Sequence, residues 1–338
     1  MTVLSISSLS ASRAAVLPAL RAAVDSLDRT SRTLAAYHLG WSDADGRPLQ
    51  RPAGKAVRPA LALLSAQAAG MPATTGIPGA VAVELVHNFS LLHDDLMDGD
   101  TERRHRATVW AVWGPSSAIL LGDALLALAQ QVLLAAAAPQ VAAAGRLLAD
   151  ATQQLVRGQV EDLAFERRHD VSVGECLAMA ADKTGALLRA SGAIGAVLAG
   201  APGALVQAMS VFGDELGLAF QLVDDLLGIW GQPEQTGKPV RSDLRSHKKS
   251  LPVTYAMTSG TAAGDELAAW ISGCGSNGDA DLRHAADLVA RAGGREWAER
   301  EARRHLMLAE QALQLDGIPT SVRDELCALG NFVVLRQS

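Results

Sequence analysis

The chain is written mostly in Ala-, Leu- and Val-rich blocks, and no long run alternates Thr, Val, Ile or Tyr with polar residues. Such blocks favour helix, because β-branched and aromatic side chains are what a pleated surface needs. Residues 11–39 read as one amphipathic helix, with Pro18 tolerated near its start. A polar, turn-rich stretch follows, GWSDADGRPLQRPAG. From 57 to about 227 helical runs dominate, broken by Gly/Pro punctuation such as GMPATTGIPG and AGAPG. The segment GIWGQPEQTGKPVRSDLRSHKKSLP then reads as a long polar loop between two helices, a length that compact domains usually reserve for function. SGCGSNGDAD joins two C-terminal helices. No repeat, charge run or low-complexity linker divides residues 1–338, so the expectation is a single all-α domain.

Composition narrows the function classes. With 49% hydrophobic residues in 338, a sizeable core is available. The net charge of −6 provides no basic excess for coating nucleic acid, so no nucleic-acid partner is expected. Cys176, Cys274 and Cys327 form no CxxC pair, which fits a reducing, cytoplasmic setting without structural disulfides. The first residues lack the charged and apolar blocks of a secretory signal. Residues 118–139 are the best membrane-span candidate, but Asp123, Gln130 and Gln131 interrupt them. A buried bundle helix, and no integral membrane segment, is therefore expected.

Charge becomes informative in LVHNFSLLHDDLMDGDTERRHRATVW. Asp94 and Asp98 are four apart, so on a helix their carboxylates share a face, with Asp95 beside them. Such carboxylates repel one another until a cation arrives, so removal of Asp94 or Asp95 alone is expected to spare the fold. Oxygen-only ligands suit Mg²⁺, which keeps waters and bridges carboxylates to phosphates. Arg103 and Arg104 follow, ready for phosphate oxygens. A second acidic pair, Asp224 and Asp225, is trailed by Lys238, Lys248 and Lys249, and GKAVRP supplies Lys55 and Arg58. Singly, a DDxxD reads as a solvated helix face, scattered Lys and Arg as solubility residues, and His87 and His93 as packed core. Together, two acidic clusters and three basic ones suit two diphosphates, one held through metal and one gripped by cations.

At these residues the sequence resembles the trans-isoprenyl diphosphate synthases, or polyprenyl synthetases, from about residue 55 to 338. GKAVRP is similar to the family's GKxxRP element and HDDLMDGDTERR to its first aspartate-rich motif. GDALLALA, GQVEDL, DKTGALL, FQLVDDLLGIWG, TGKPVRSDLRSHKKSLP and NFVVLR match further segments in order. Residues 1–54 would be an N-terminal helix and loop. The resemblance implies a large helical bundle of the isoprenoid synthase type around a deep central cavity, usually a homodimer, with Mg²⁺ as cofactor. It implies Asp94, Asp95, Asp98, Asp224 and Asp225 as metal ligands. Arg103, Lys183, Lys238 and Lys248 would contact an allylic diphosphate. Lys55, Arg58, His87 and Arg104 would hold isopentenyl diphosphate, and Thr184 and Gln221 would sit near the reacting carbons.

Three departures from the family pattern stand out. Gly228 replaces a third Asp common in the second motif, Ala56 replaces a common Arg, and His105 with Ala107 replaces Gly and Pro. The resemblance also implies a chain-length floor before the first acidic motif. Phe89, five residues ahead of Asp94 and beside small Ser90, fits that floor, and with no insertion in DDLMD it implies a C20 product, with C15 as the alternative. Three rival readings are a class I terpene cyclase on the same fold, a non-catalytic partner subunit and a purely structural helical protein. A cyclase has no use for Lys55, Arg58, His87 and Arg104. A modulating subunit would be free to lose the acidic pairs, and in a structural protein the ordered clusters would be coincidence.

Overall fold

The computed structural model describes residues 2–49, 56–168, 170–232, 240–274 and 278–334. Helices α1 (Thr2–Asp25), α2 (Arg29–His38), α3 (Val57–Ala68) and α4 (Ile77–Met97) come first. A two-residue hairpin, β1 (Glu102–Arg103) with β2 (Arg106–Ala107), precedes α5 (Val109–Trp113) and α6 (Pro115–Leu134). Then follow α7 (Val141–Arg167), α8 (Val173–Ala180), α9 (Ala186–Leu198) and α10 (Gly203–Trp230). The chain ends with α11 (Ser242–Arg245), α12 (Leu251–Met257), α13 (Ala262–Ala269), α14 (Asp279–Arg291), α15 (Gly294–Ala312) and α16 (Thr320–Val334). The all-α expectation holds, and the hairpin holds the only paired strands among the described residues.

The chain divides into two compact units. The first comprises described residues of Met1–Thr152, Leu187–Gly213 and Ala312–Leu329. The expected single helix over 11–39 is two helices. The Asp28 carboxylate accepts the N–H groups of Thr30 and Ser31 at 2.9 and 3.1 Å and starts α2 afresh. Pro18 lies deep inside α1 rather than near its start. Pro18 and Ala14 are both exposed, so the Ala14 carbonyl that loses its donor is on the solvent side.

Helices α3, α4 and α9 approach closely because glycine and alanine line their contacts. A Cβ at Gly195 would collide with the Ala62 carbonyl, and one at Gly79 with the Ile194 side chain. The same approach lets the Ala196 N–H reach the buried Ser65 hydroxyl at 2.9 Å. Helix α6 is not the buried helix its composition suggested. By length and composition it could cross a bilayer, yet only 39% of its apolar window is buried. One face packs on α4, while Leu120 and Leu134 remain 67% and 70% exposed.

The second unit comprises described residues of Gln153–Ala186, Asp214–Gln311 and Gly330–Ser338. Helix α8 begins with a reciprocal cap, Ser172 with Glu175. It passes into α9 through a π-helical turn, Ala181–Gly185, that carries Asp182, Lys183 and Thr184. Gly158 on α7 makes room for that turn, since a Cβ there would collide with Lys183 backbone atoms. The long segment read as a loop is partly helical: α10 continues to Trp230 and α11 forms within it. Leu244 of α11 anchors it in a core shared with Ile229, Val253, Leu267 and Leu288.

Candidate active site

The candidate residues form two groups, one in each unit. In the first unit, α4 carries Glu84, His87, Asn88, Phe89, Asp94 and Asp95, and the hairpin carries Arg103 and Arg104. The hairpin turn is left-handed at both central residues, Arg104 (φ +53°) and His105 (φ +59°), the geometry of a type I′ turn. Neither is glycine, so the turn is strained and must be held by its surroundings. Tyr37 and Arg106 hold it. The Tyr37 hydroxyl donates to the Ala107 carbonyl at 2.7 Å, and the Arg106 guanidinium stacks on the Tyr37 ring while donating to the carbonyls of Tyr37 and Ser42. His105 thus occupies a position where the family's glycine would be relaxed.

Arg103 donates from Nε to the Asp95 carboxylate at 2.6 Å, and that carboxylate is 2% exposed. The expectation that Asp95 can be removed without cost to the fold therefore fails: its loss would strip a charged partner from Arg103 in a buried setting. Asp94 is half-buried and Asp98, which closes α4, is exposed. These two carboxylates, one turn apart, offer hard oxygen ligands on an accessible helix end. Among the described residues no three His, Cys, Asp or Glu side chains are arranged to enclose a metal. Such a donor set fits Mg²⁺, which keeps several waters and completes its shell with phosphate oxygens.

A cavity of about 90 Å³ lies beside the hairpin, lined by Tyr37, His38, Asp95, Arg103, Arg104 and Arg106 among others. Burial and the charge of Arg103 lower the Arg104 pKa. Burial lowers Arg58 to about 10, with Glu84 pulling the other way. Burial, then Arg58 and Arg104, hold the His87 imidazole well below its usual range, so it is neutral. His38 is pushed to about 3 by burial and by Arg103 and Arg104, and among the described residues its buried Nε2 finds no hydrogen-bond partner, nor does the Arg58 Nε. Cations crowded enough to suppress protonation nearby form a receptor for a polyanion. His38 escaped the sequence reading because it lies on α2, outside the segment that carries the family motifs.

Phe89 is buried and packs edge-on against His93, ring centroids 4.9 Å apart. His93 Nε2 donates to the Ile119 carbonyl at 3.1 Å, and its imidazole occupies the space a Cβ at Gly122 would need. No local pattern marks Gly122 as the support of this pair, because its contact with His93 spans two helices.

In the second unit, a chain of hydrogen bonds runs through three predicted residues. Thr184 Oγ1 donates to Gln221 Oε1 at 2.7 Å, and Gln221 Nε2 donates to Asp225 Oδ1 at 2.7 Å. Asp225 Oδ2 accepts the Leu251 N–H at 2.8 Å. The amide orientation of Gln221 is thereby fixed, its oxygen toward Thr184. Asp225 is buried, and burial pushes its carboxyl up to about 7 against the pull of Lys248. Asp224, its neighbour, is exposed. Lys183 donates to Asp162 at 2.6 Å. Burial would raise the Asp162 carboxyl, but Lys248 and Lys183 hold it below the usual range. Burial pulls the Lys248 pKa down, but the charges of Asp243, Asp225 and Asp162 outweigh it and raise it. Asp162 went unmarked in the sequence, although GQVEDL contains it. Lys55 and Lys238 lie outside the described residues.

A family model described as Polyprenyl synthetase matches residues 46–289. The chain is 53% identical over 326 residues to a (2E,6E)-farnesyl diphosphate synthase of Mycobacterium tuberculosis, covering 96% of this chain and 91% of that one. It is 44% identical over 331 residues to a geranylgeranyl diphosphate synthase of the same species, covering 97% and 93%. A crystal structure of a polyprenyl synthetase from Streptomyces coelicolor A3(2) superposes with a TM-score of 0.93 at 51% identity, covering 97% of this chain and 99% of that one.

The buried Asp225 carboxyl makes stability depend on pH. Its folded value, about 7, lies above the ordinary carboxyl value of about 4. Stability linked to it is present at low pH and is lost as pH rises through 7. Asp225→Asn stays neutral throughout. Between pH 5 and 8, wild type is therefore expected to lose roughly 2–3 kcal/mol relative to the variant in urea unfolding. Parallel pH–stability curves for the two proteins would show that Asp225 is ionised in the fold.

Proposed function

The chain belongs to the polyprenyl synthetase family and is a prenyltransferase, and on that premise we propose a specific reaction for it. It condenses isopentenyl diphosphate head-to-tail with an allylic diphosphate to give a short-chain all-trans prenyl diphosphate. The observation that supports this reading is the cluster of Arg58, Arg104 and neutral His87 in the first unit, with Arg103 and Arg104 lining the adjacent cavity. An enzyme that only ionises a prenyl diphosphate has no need of a second anion receptor. Lys55 belongs with that pocket by its place in GKAVRP.

Asp94, Asp95 and Asp98, with Asp224 and Asp225, form the acidic half of the machinery. Of these, half-buried Asp94 and exposed Asp98 and Asp224 suit direct contact with Mg²⁺, and Asp95 and Asp225 anchor their helices. Mg²⁺ bound there would neutralise the charge that grows on a departing diphosphate. Arg103, Lys183, Lys238 and Lys248 contribute cationic contacts to the same leaving group. As its carbon–oxygen bond breaks, the allylic carbon becomes positive. The Gln221 amide oxygen and the Thr184 hydroxyl offer it lone pairs without a reactive nucleophile. The double bond of isopentenyl diphosphate then forms the new carbon–carbon bond. A proton leaves to the released diphosphate, so no side-chain base is required. His87, held neutral, can donate a hydrogen bond to isopentenyl diphosphate without adding charge.

The product we assign is C20, on the ground that buried Phe89 stands beside small Ser90 above the first acidic motif. The higher identity to a farnesyl synthase favours C15 as a second reading. The half-exposed apolar face of α6, with Ile119, Leu120 and Leu134, supports a homodimer. Cysteine usage supports a cytoplasmic setting.

Incubation with Mg²⁺, labelled isopentenyl diphosphate and each allylic diphosphate tests the reaction directly. Release of diphosphate from the allylic substrate alone, with a hydrocarbon or alcohol product, would contradict it. Arg58→Ala is expected to raise the KM for isopentenyl diphosphate roughly ten- to a hundredfold and to affect the allylic KM far less. An equal rise in both would remove Arg58 from the isopentenyl pocket. Phe89→Ala is expected to lengthen the product beyond that of wild type. A folded, active variant with unchanged product length would show that Phe89 is not the floor.

A further inference from the structure

The hairpin turn is left-handed at both Arg104 and His105, yet residues 103–107, RRHRA, contain neither glycine nor proline to set it. Contacts from elsewhere must impose the conformation. The open end of the hairpin has its own fastening. The Asp100 carbonyl accepts the Thr108 hydroxyl at 2.9 Å and the Trp110 indole N–H at 2.8 Å. The Thr101 carbonyl accepts the Thr108 N–H at 3.0 Å. None of these reaches the turn.

The turn is fastened by the end of α2. Arg103 and Arg106 are direct cross-strand partners, and like charges so placed repel. They are drawn apart, Arg103 to Asp95 and Arg106 over the Tyr37 ring, 4.1 Å from its centroid. There the Arg106 guanidinium donates to the carbonyls of Tyr37 at 2.9 Å and Ser42 at 2.8 Å, at the end of α2 where the helix dipole favours a cation. Arg103 and Arg106 flank a two-residue turn and form its hydrogen-bonded pair, so the carbonyl of Ala107 faces away from the partner strand. The Tyr37 hydroxyl donates to that carbonyl at 2.7 Å. Tyr37 is buried, and its ring packs edge-on against Trp113 with centroids 4.7 Å apart, so it is a fixed post. The two arginines differ in what holds them. Arg103 has Asp95, whereas among the described residues the Arg104 side chain makes no hydrogen bond or ion pair. The place of Arg104 is therefore set by the strained turn that carries it.

We propose that Tyr37 is the positioning residue for Arg104. Its hydroxyl, ring and carbonyl together hold the turn in a conformation that glycine adopts unaided. Tyr37 stands ahead of residue 46, where the match to the family model begins. The inference rests on the condensation reading, in which Arg104 holds isopentenyl diphosphate.

The test compares wild type with Tyr37→Phe, Tyr37→Leu, His105→Gly and Tyr37→Phe/His105→Gly. It reads both KM values, calorimetric affinity for isopentenyl diphosphate and hydrogen exchange of the hairpin amides, and thermal unfolding checks that each variant is folded. Loss of the hydroxyl is expected to raise the isopentenyl KM roughly three- to tenfold in Tyr37→Phe, and further in Tyr37→Leu, which also removes the seat of Arg106. The allylic KM is expected to stay within about twofold of wild type, because Asp95 still holds Arg103. His105→Gly alone is expected to stay within about twofold for both substrates. Added to Tyr37→Phe, it relieves one of the two strained positions and is expected to recover much of the loss. A role in stability alone would give neither the split between substrates nor that recovery. Exchange of the hairpin amides should quicken in Tyr37→Phe and slow again in the double variant. Tyr37→Phe with wild-type isopentenyl KM and affinity would overturn the proposal, as would a loss shared equally by both substrates or a folded double variant no better than Tyr37→Phe. Should Tyr37→Leu fail to fold, Tyr37→Phe, which keeps the ring, decides alone. Should wild type itself not condense the two substrates, the condensation reading falls. Hairpin exchange and isopentenyl diphosphate affinity then decide whether Tyr37 positions Arg104, and wild-type values of both in Tyr37→Phe would overturn it.

Discussion

Like charges brought together under partial burial repel one another and prefer to neutralise, and both residue groups are built on that constraint. In the first unit burial, joined by the charges of Arg58, Arg103 and Arg104, keeps His38 and His87 neutral. In the second, Asp162, Asp224, Asp225 and Asp243 surround Lys248, and the innermost carboxyl rises toward neutral pH. Internal pairs offset part of the repulsion, Arg103 with Asp95 and Lys183 with Asp162. In the proposed reaction a diphosphate would answer the cationic excess of the first group, and a divalent cation the acidic excess of the second.

Holding such groups in place needs a rigid and locally strained backbone. The I′ turn at Arg104 and His105 carries two left-handed residues that prefer other conformations, and the Tyr37–Arg106 stack forces them to stay. The π-helical turn at Ala181–Gly185 aims Lys183 and Thr184, and it fits only because Gly158 has no side chain. Arg241 and His247 do the same for the segment bearing Asp243 and Lys248. Each strained point lies within a few residues of a charged group that the proposed reaction would use.

The helical class and the order of the chemical motifs were legible because both are written in local terms: Ala/Leu blocks, the i, i+4 spacing of Asp94 and Asp98, and short basic strings. The break at Asp28 was missed because the apolar rhythm runs on across it, whereas the helix start depends on one side chain capping two N–H groups. The burial of α6 was overread for a similar reason, since apolar composition does not say how many faces find partners. Within the motifs, sequence could not divide the aspartates. Asp94 and Asp95 look alike on paper, yet Asp94 is half-buried and Asp95 is fully buried and locked to Arg103 of the hairpin. Asp162 and His38 were invisible because each meets its charged neighbours across a long sequence separation. Gly228 was noticed only as an absence, whereas the Asp243 carboxylate from fifteen residues away lies in the space its Cβ would take.

If unsatisfied charge is the organising feature, ligands carrying both signs must stabilise the fold together. Thermal unfolding with inorganic diphosphate, with Mg²⁺ and with both measures this directly. At a ligand concentration a hundredfold above Kd, the stabilisation should approach about 2.7 kcal/mol. The account predicts a modest rise in unfolding temperature with diphosphate, little change with Mg²⁺, and a rise with both that clearly exceeds the sum. An unfolding temperature unmoved by the two together would contradict it.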